Sequence, residues 1–402
     1  MPILSDYDQF QGLHWETGSL RNYFAYKSVR APHTGQPYSE AILLGISGGI
    51  VMGYYTFDYQ GYDPMVRILT RNTFAPLETI YQRLEIQTKK IQTASPEKGV
   101  KNLLGELEAG SPAVVYADMY SLPYNATAHD DGMWAMLPIL VYGYDQDDGM
   151  VWIADRSRRP LSITAEELTS ARGRTKKNKY HLLAHEPPNP DKLVSAVEDG
   201  LRDCIQYYIQ PPPQGSKNNF GFLAFKKWIN LLLKPGQGSS WKKEFPPGSR
   251  MYAGLISAFQ DISIFGKDGG AERDLYAQFL DEASILLAKP ELVVIAGQFR
   301  KSAVAWNNLA NTLLPDEIPL FMETRTLMLA KHHLFLDQGS SALEEIRQIN
   351  SRLSEIQTLV SKEFPLSESQ AEEMRIEIAD KVIIVHDLEF AAIQNLQHVM
   401  AQ

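Results

Sequence analysis

A single cysteine among 402 residues, Cys204, removes two chemistries at once. It leaves no intrachain disulfide and no cysteine-rich zinc site. Long apolar runs are also missing, and none approaches the roughly 20 residues that cross a bilayer as a helix. Basic residues are not in excess: 39 Lys and Arg stand against 48 Asp and Glu, a net charge of -9. That balance argues against nucleic acid as the main partner, because phosphate neutralisation needs a basic surface. The opening residues, MPILSDYDQFQG, lack a basic stretch followed by an apolar core, so no secretory signal is expected and the cytoplasm is the expected compartment.

What is present is ordinary globular material, 44% hydrophobic and 22% charged. The length suits two domains better than one core. Two textures meet near residue 188. Before it, short apolar runs alternate with turn residues. Ala113–Ala117, Leu137–Gly143 and Met150–Ala154 have the length and composition of strands. Helices are expected at about 16–30, 76–93 and 96–109, and another from Thr164, where Glu167 closes a capping box. Glu186-Pro-Pro-Asn-Pro190 then breaks the chain. Beyond it the pattern is helical, with Leu343, Ile346, Ile349, Leu353, Ile356 and Val360 on one stripe and a last helix over Ile376 to Val399. The expected domains are 1–187, of α+β class, and 188–402, all-α.

One stretch carries more information than the rest: Gln9-Phe-Gln-Gly-Leu-His14-Trp15-Glu16-Thr17-Gly18-Ser19-Leu20-Arg21-Asn22. With Ser39-Glu40 leading to Gly45-Ile-Ser-Gly48-Gly49, then Val141-Tyr-Gly143-Tyr-Asp145 and Val151-Trp-Ile-Ala-Asp155, it resembles the N-terminal domain of the butirosin biosynthesis protein H family. Gly270-Ala-Glu-Arg273-Asp-Leu-Tyr276 resembles the helical domain often fused to it. The resemblance implies a papain-like (cysteine-peptidase-like) fold for 1–187 and acyl transfer from a carrier thioester to an amine, in secondary metabolism. An acyl carrier protein and a small amine are the implied partners, with no cofactor and no metal.

A papain-like site starts a helix at its nucleophile, with a Gln about six residues upstream for the oxyanion, a strand histidine, and an Asp or Asn to orient it. On that pattern Gln9 takes the oxyanion role and Asp155 the orienting role. The nucleophile's position holds Trp15, however, and the strand histidine falls at Leu137 or Pro138, neither of which carries a proton. Thiol catalysis is therefore not expected. His14 is the substitute base on this reading, against a structural hydrogen-bonding role. Trp15, Glu16, Ser19, Asp118, Tyr120 and His129 are the candidate substrate contacts. Each has a plainer reading: a cap for Ser19 and Thr17, a packed loop for Asp118 and Tyr120, and an exposed loop for His129.

Other features weigh less. Arg156-Ser-Arg158-Arg159, continued by Arg172, Arg174, Lys176, Lys177 and Lys179, is either a docking surface for an acidic carrier or a solvated face. Gly45-Ile-Ser-Gly48-Gly49 lacks the Lys-Ser/Thr of a phosphate loop. His332-His333 lacks metal-ligand spacing, and Cys204 reads as a small buried apolar group. Three functions stay open: acyl transfer without a cysteine, a pseudoenzyme that binds a small molecule or carrier in the inherited cleft, and an assembly role in which the helical half forms a homodimer.

Overall fold

The computed structural model describes residues 2–127, 132–212, 215–234, 240–266 and 270–402. In chain order come α1 (Trp15–Tyr26), α2 (Glu40–Ile46), β1 (Ile50–Phe57), β2 (Met65–Arg71), α3 (Pro76–Arg83), β3 (Thr88–Ile91), α4 (Pro96–Glu108), β4 (Ala113–Asp118), β5 (Met136–Asp145), β6 (Met150–Ala154), β7 (Leu161–Thr164), α5 (Ala165–Gly173) and β8 (Leu182–His185). Helices follow: α6 (Leu193–Ile209), α7 (Gly221–Leu233), α8 (Trp241–Glu244), α9 (Ser249–Phe259), α10 (Arg273–Leu286), α11 (Glu291–Leu313), α12 (Pro319–Gln338), α13 (Leu343–Lys362) and α14 (Glu368–Ala401). The chain is thus mixed α/β with a helical C-terminal region. No helix among the described residues is long and apolar enough to cross a membrane.

Two compact units form from interleaved segments. The first gathers Met1–Leu43, Leu77–Leu193 and Lys331–Gln348; the second gathers Leu44–Pro76, Val194–Ala330 and Ile349–Gln402. One crossing, at Leu193, lies close to the proline break at 186–190. The other exchanges, at 43–44, 76–77, 330–331 and 348–349, fall where composition does not change.

The first unit is built on a sheet ordered β3-β8-β4-β5-β6-β7, with antiparallel neighbours. Its strands β4, β5 and β6 occupy the expected runs, and β5 is buried along nearly its whole length. Helix α4 begins where Ser95 accepts from the Lys98 amide at 3.2 Å with Pro96 just inside the first turn. Helix α5 has the expected capping box between Thr164 and Glu167. The helix expected over 76–93 differs: it stops at Arg83, Glu85 takes φ +50°, and Thr88–Ile91 pairs with β8. A tertiary ladder outweighs local helix propensity there. Helix α1 packs against β4 and β5. Ser19 Oγ donates to the Pro138 carbonyl at 3.2 Å, and Tyr23 Oη exchanges hydrogen bonds with the His185 backbone at 3.0 and 3.1 Å. These contacts fix the start of α1 relative to the sheet.

The second unit holds the hairpin β1–β2, which the sequence pattern does not announce, so this unit is not all-helical. Gly45 admits the Phe279 ring, with which a Cβ would clash, so this glycine serves packing. At the centre Arg273 and Glu389 are both fully buried and 2.6 Å apart. Glu389 also accepts from Tyr208 (2.6 Å), Trp306 (2.7 Å) and Ser302 (2.9 Å). Arg273 spends its other donors on the carbonyls of Thr70, Ala271 and Val51. Burial opposes ionisation of Glu389, yet Arg273 holds its carboxyl below the usual range. A buried pair this fully bonded is costly to break from one side. Arg273→Met should therefore lose about 3–5 kcal/mol of stability by urea denaturation, and a loss below about 1 kcal/mol would contradict this role.

Candidate functional site

Helix α1 starts without a side-chain cap of its own. His14 stands at the cap position in extended conformation, φ -118° and ψ 160°, and its side chain does not bond back to the helix amides. The missing acceptor comes from α2. Glu40 takes the amides of Leu13 and His14 at 2.6 and 2.8 Å, the Thr17 hydroxyl at 2.8 Å, and faces His14 Nδ1 at 3.0 Å. A carboxylate at a helix N-terminus satisfies orphan N–H groups and the helix dipole together. Burial works against the charged form of Glu40, but the His14 hydrogen bond and charge, with the Leu13 and Thr17 bonds, hold its carboxyl below the usual value. Gly12 and Gly18 let the preceding loop cross the helix in backbone contact, since a Cβ on Gly12 would meet Gly18 Cα at 2.9 Å.

This clamp delivers Trp15 as the first residue of α1, buried in the unit. The Arg156 guanidinium lies over its indole at 3.9 Å from the ring centroid, with the Phe335 ring at 5.0 Å. Asp155 Oδ2 and Oδ1 receive Arg156 Nη2 and Nε at 3.2 and 3.3 Å, and Nη2 also reaches Asn125 Oδ1 at 2.8 Å. Tyr124 donates to Asp155 Oδ2 at 3.3 Å and stacks on Phe335. Burial, with Asp155 adding to it, pushes the Tyr124 hydroxyl well above its ordinary value, so it stays a donor at neutral pH. Phe335 is held in place because the Arg158 amide donates to the Leu336 carbonyl at 2.8 Å and the Arg158 side chain pairs with Asp337 at 2.7 Å. Side chains from α1, the end of β6 and the end of α12 thus close around one guanidinium.

The residues picked from sequence fall in several places. Trp15 and Asp155 meet through Arg156. His14 is buried against Glu40. Gln9 is half-buried, its amide donating to Asp8 and its carbonyl accepting from Tyr7. Ser19 fastens α1 to β5. Glu16 is half-buried in the first turn of α1. Asp118 is buried as a turn cap, accepting from Ser121 (2.6 Å), the Ala135 amide (2.8 Å) and the Tyr120 amide (3.4 Å). His129 lies outside the described residues. Sequence reasoning did not single out Glu40 or Phe335, and it placed Arg156 in a charge run. The signal available for Arg156 was its place directly after Asp155. Cys204 is buried in the second unit, and burial pushes its thiol up to about 12, too high for a thiolate nucleophile at neutral pH.

Comparison with known proteins bears on both halves of the chain. Residues 14–156 match the family described as Butirosin biosynthesis protein H, N-terminal. Residues 166–317 match a Domain of unknown function (DUF4872). The first match begins at His14 and ends at Arg156, so it spans the cap of α1 and the guanidinium that covers Trp15. No curated protein matches the chain.

The Glu40 clamp has a pH signature. Because its folded pKa is depressed, its stabilisation is complete above its ordinary value of 4.5 and is lost as pH falls through the lower folded value. Glu40→Gln should cost about 1–3 kcal/mol at pH 7 by urea denaturation, with the gap to the native protein narrowing towards pH 3. A gap independent of pH would show that Glu40 is not ionised in the folded state.

Proposed function

We propose that this chain, which belongs to the butirosin biosynthesis protein H-like family by its two consecutive domain matches, acts by binding a ligand at a papain-like site that has no nucleophile. The family's relation to butirosin biosynthesis ties it to secondary metabolism. The ligand class this reading takes is the one the family implies, a carrier-borne acyl group or the amine that would accept it.

The observation that carries the reading is the pairing of Trp15 with Arg156. On the papain-like pattern the first residue of α1 is the nucleophile, and here an indole fills that place under a guanidinium 3.9 Å away. Such a pair is worth about 0.5–2 kcal/mol, more when desolvated. Asp155, the acid that would orient a histidine, is instead engaged by Arg156 and Tyr124. Attack by an amine on an already activated thioester remains chemically available, because it needs a base and an oxyanion donor but no thiol. His14 and Gln9 would take those roles. The observation that favours this second reading is the His14–Glu40 contact, a base and an orienting carboxylate 3.0 Å apart; burial of both groups weighs against it.

One experiment separates the two. The native protein and His14→Ala are incubated with acyl-pantetheine thioesters and mixed amines, with amide followed by mass spectrometry and binding by tryptophan fluorescence. Saturable binding without amide is the expected result. Amide from the native protein that disappears in His14→Ala would replace binding with direct acyl transfer, and neither binding nor amide would overturn both for this ligand class.

A further inference from the structure

Two neighbouring helices of the second unit carry large apolar side chains on their outward faces at heptad spacing. On α14, Ile376, Ile383 and Phe390 recur every seven residues and are 45, 36 and 42% exposed. Asp380 and Asp387 fall between them and are also exposed. The five together step by four and three residues, the spacing of a helix-packing seam. On α7, Leu223, Lys226, Asn230 and Leu233 take the same steps. Leu223 and Leu233 are 43 and 39% exposed, Lys226 is exposed and Asn230 is half-buried. The opposite faces of both helices are already spent on the core, through Phe225 and Trp228 of α7 and Val385 and Glu389 of α14.

The two seams lie side by side. Phe222 meets Phe390 at 5.1 Å between ring centroids and Phe225 meets His386 at 5.7 Å, so α7 and α14 run antiparallel. At 1.5 Å of rise per residue, this pairing sets Leu223 level with Phe390 and Lys226 level with Asp387. Asn230 then falls between Asp380 and Ile383, and Leu233 lies towards Ile376.

Aspartates within an apolar seam are unfavourable unless donors face them. Two α14 seams packed on one another would crowd four carboxylates together, and two α7 seams would oppose their lysines. Only the crossed pairing, α7 on α14, sets a cation against an anion and the Asn230 amide near Asp380.

We propose that this double seam is a homodimer interface, with a two-fold axis running along the groove between α7 and α14. Such an axis lays α7 of each copy on α14 of the other and keeps every residue at its own level. Lys226 of one copy therefore meets Asp387 of the other, and Leu223 meets Phe390, each contact being made twice. His386 Nδ1 sits 2.9 Å from Asp387 Oδ1, but the Asp387 side chain is 71% exposed, which leaves Oδ2 for the lysine. The four helices then pack as an antiparallel bundle across the axis. This interface does not depend on how the Trp15 site is read.

The test measures the mass of the full chain by sedimentation velocity over a concentration series, with circular dichroism as the control for folding. The native protein should form a reversible dimer. Ile383→Glu, at an exposed position, should stay folded and be monomeric where the native protein is dimeric. Lys226→Glu and Asp387→Lys should each raise the dimer dissociation constant about tenfold. The double variant should return to within about threefold of the native value, because the exchange restores the charge pair across the axis. A native chain that is monomeric throughout would overturn the assignment and leave the seams to a different protein. A dimer indifferent to Ile383→Glu, or two charge reversals whose losses simply add, would place the axis elsewhere and overturn it as well.

Discussion

The buried carboxylate of Glu40 is the constraint on which the candidate site depends. A helix that begins in the interior exposes N–H groups that water cannot reach, and each unmet donor is costly. His14 does not supply the acceptor, so Glu40 reaches across from the next helix and collects two amides, one hydroxyl and one imidazole nitrogen. With the end of the loop fixed by backbone contact at Gly12 and Gly18, little freedom remains in where α1 starts. The position of Trp15 follows from that anchoring.

What surrounds Trp15 follows from electrostatics as much as from shape. Asp155 emerges at the end of β6 in a buried setting, where an unpaired carboxylate would be unfavourable. Arg156 answers it from the next position in the chain, and in turning back it places its guanidinium over the indole. Phe335 and Tyr124 bound the remaining sides. The same side chains that satisfy Asp155 therefore cover the first residue of α1. A position that catalysis would need open is occupied by groups that stabilise one another.

Parts of this were legible in the sequence for physical reasons. The strands of the central sheet are short apolar runs with turn residues at their ends, and the capping box at Thr164 is a local signal, so both could be read directly. The motif around His14 and Trp15 carried the resemblance, and residues 14–156 match that family's N-terminal model. Local reading failed where distant segments decide. The strand Thr88–Ile91 exists because β8 pairs with it nearly a hundred residues later, and the hairpin of β1 and β2 belongs to a unit completed mostly by helices from the other half of the chain. Arg156 looked like part of a solvated basic run because nothing near it in sequence reveals Phe335. Glu40 was visible only as part of a family motif, since its role as a cap depends on α2 folding back onto the start of α1.

The central claim is that Trp15 and Arg156 fill the nucleophile's place by acting on each other, and a double-mutant cycle tests it directly. Stabilities of the native protein, Trp15→Leu, Arg156→Met and the double variant would be measured by urea denaturation at neutral pH. A coupling energy of about 1–2 kcal/mol is predicted for a desolvated cation–π pair. Strictly additive losses would mean that the two side chains do not interact in solution, and the Trp15–Arg156 pairing would have to be abandoned.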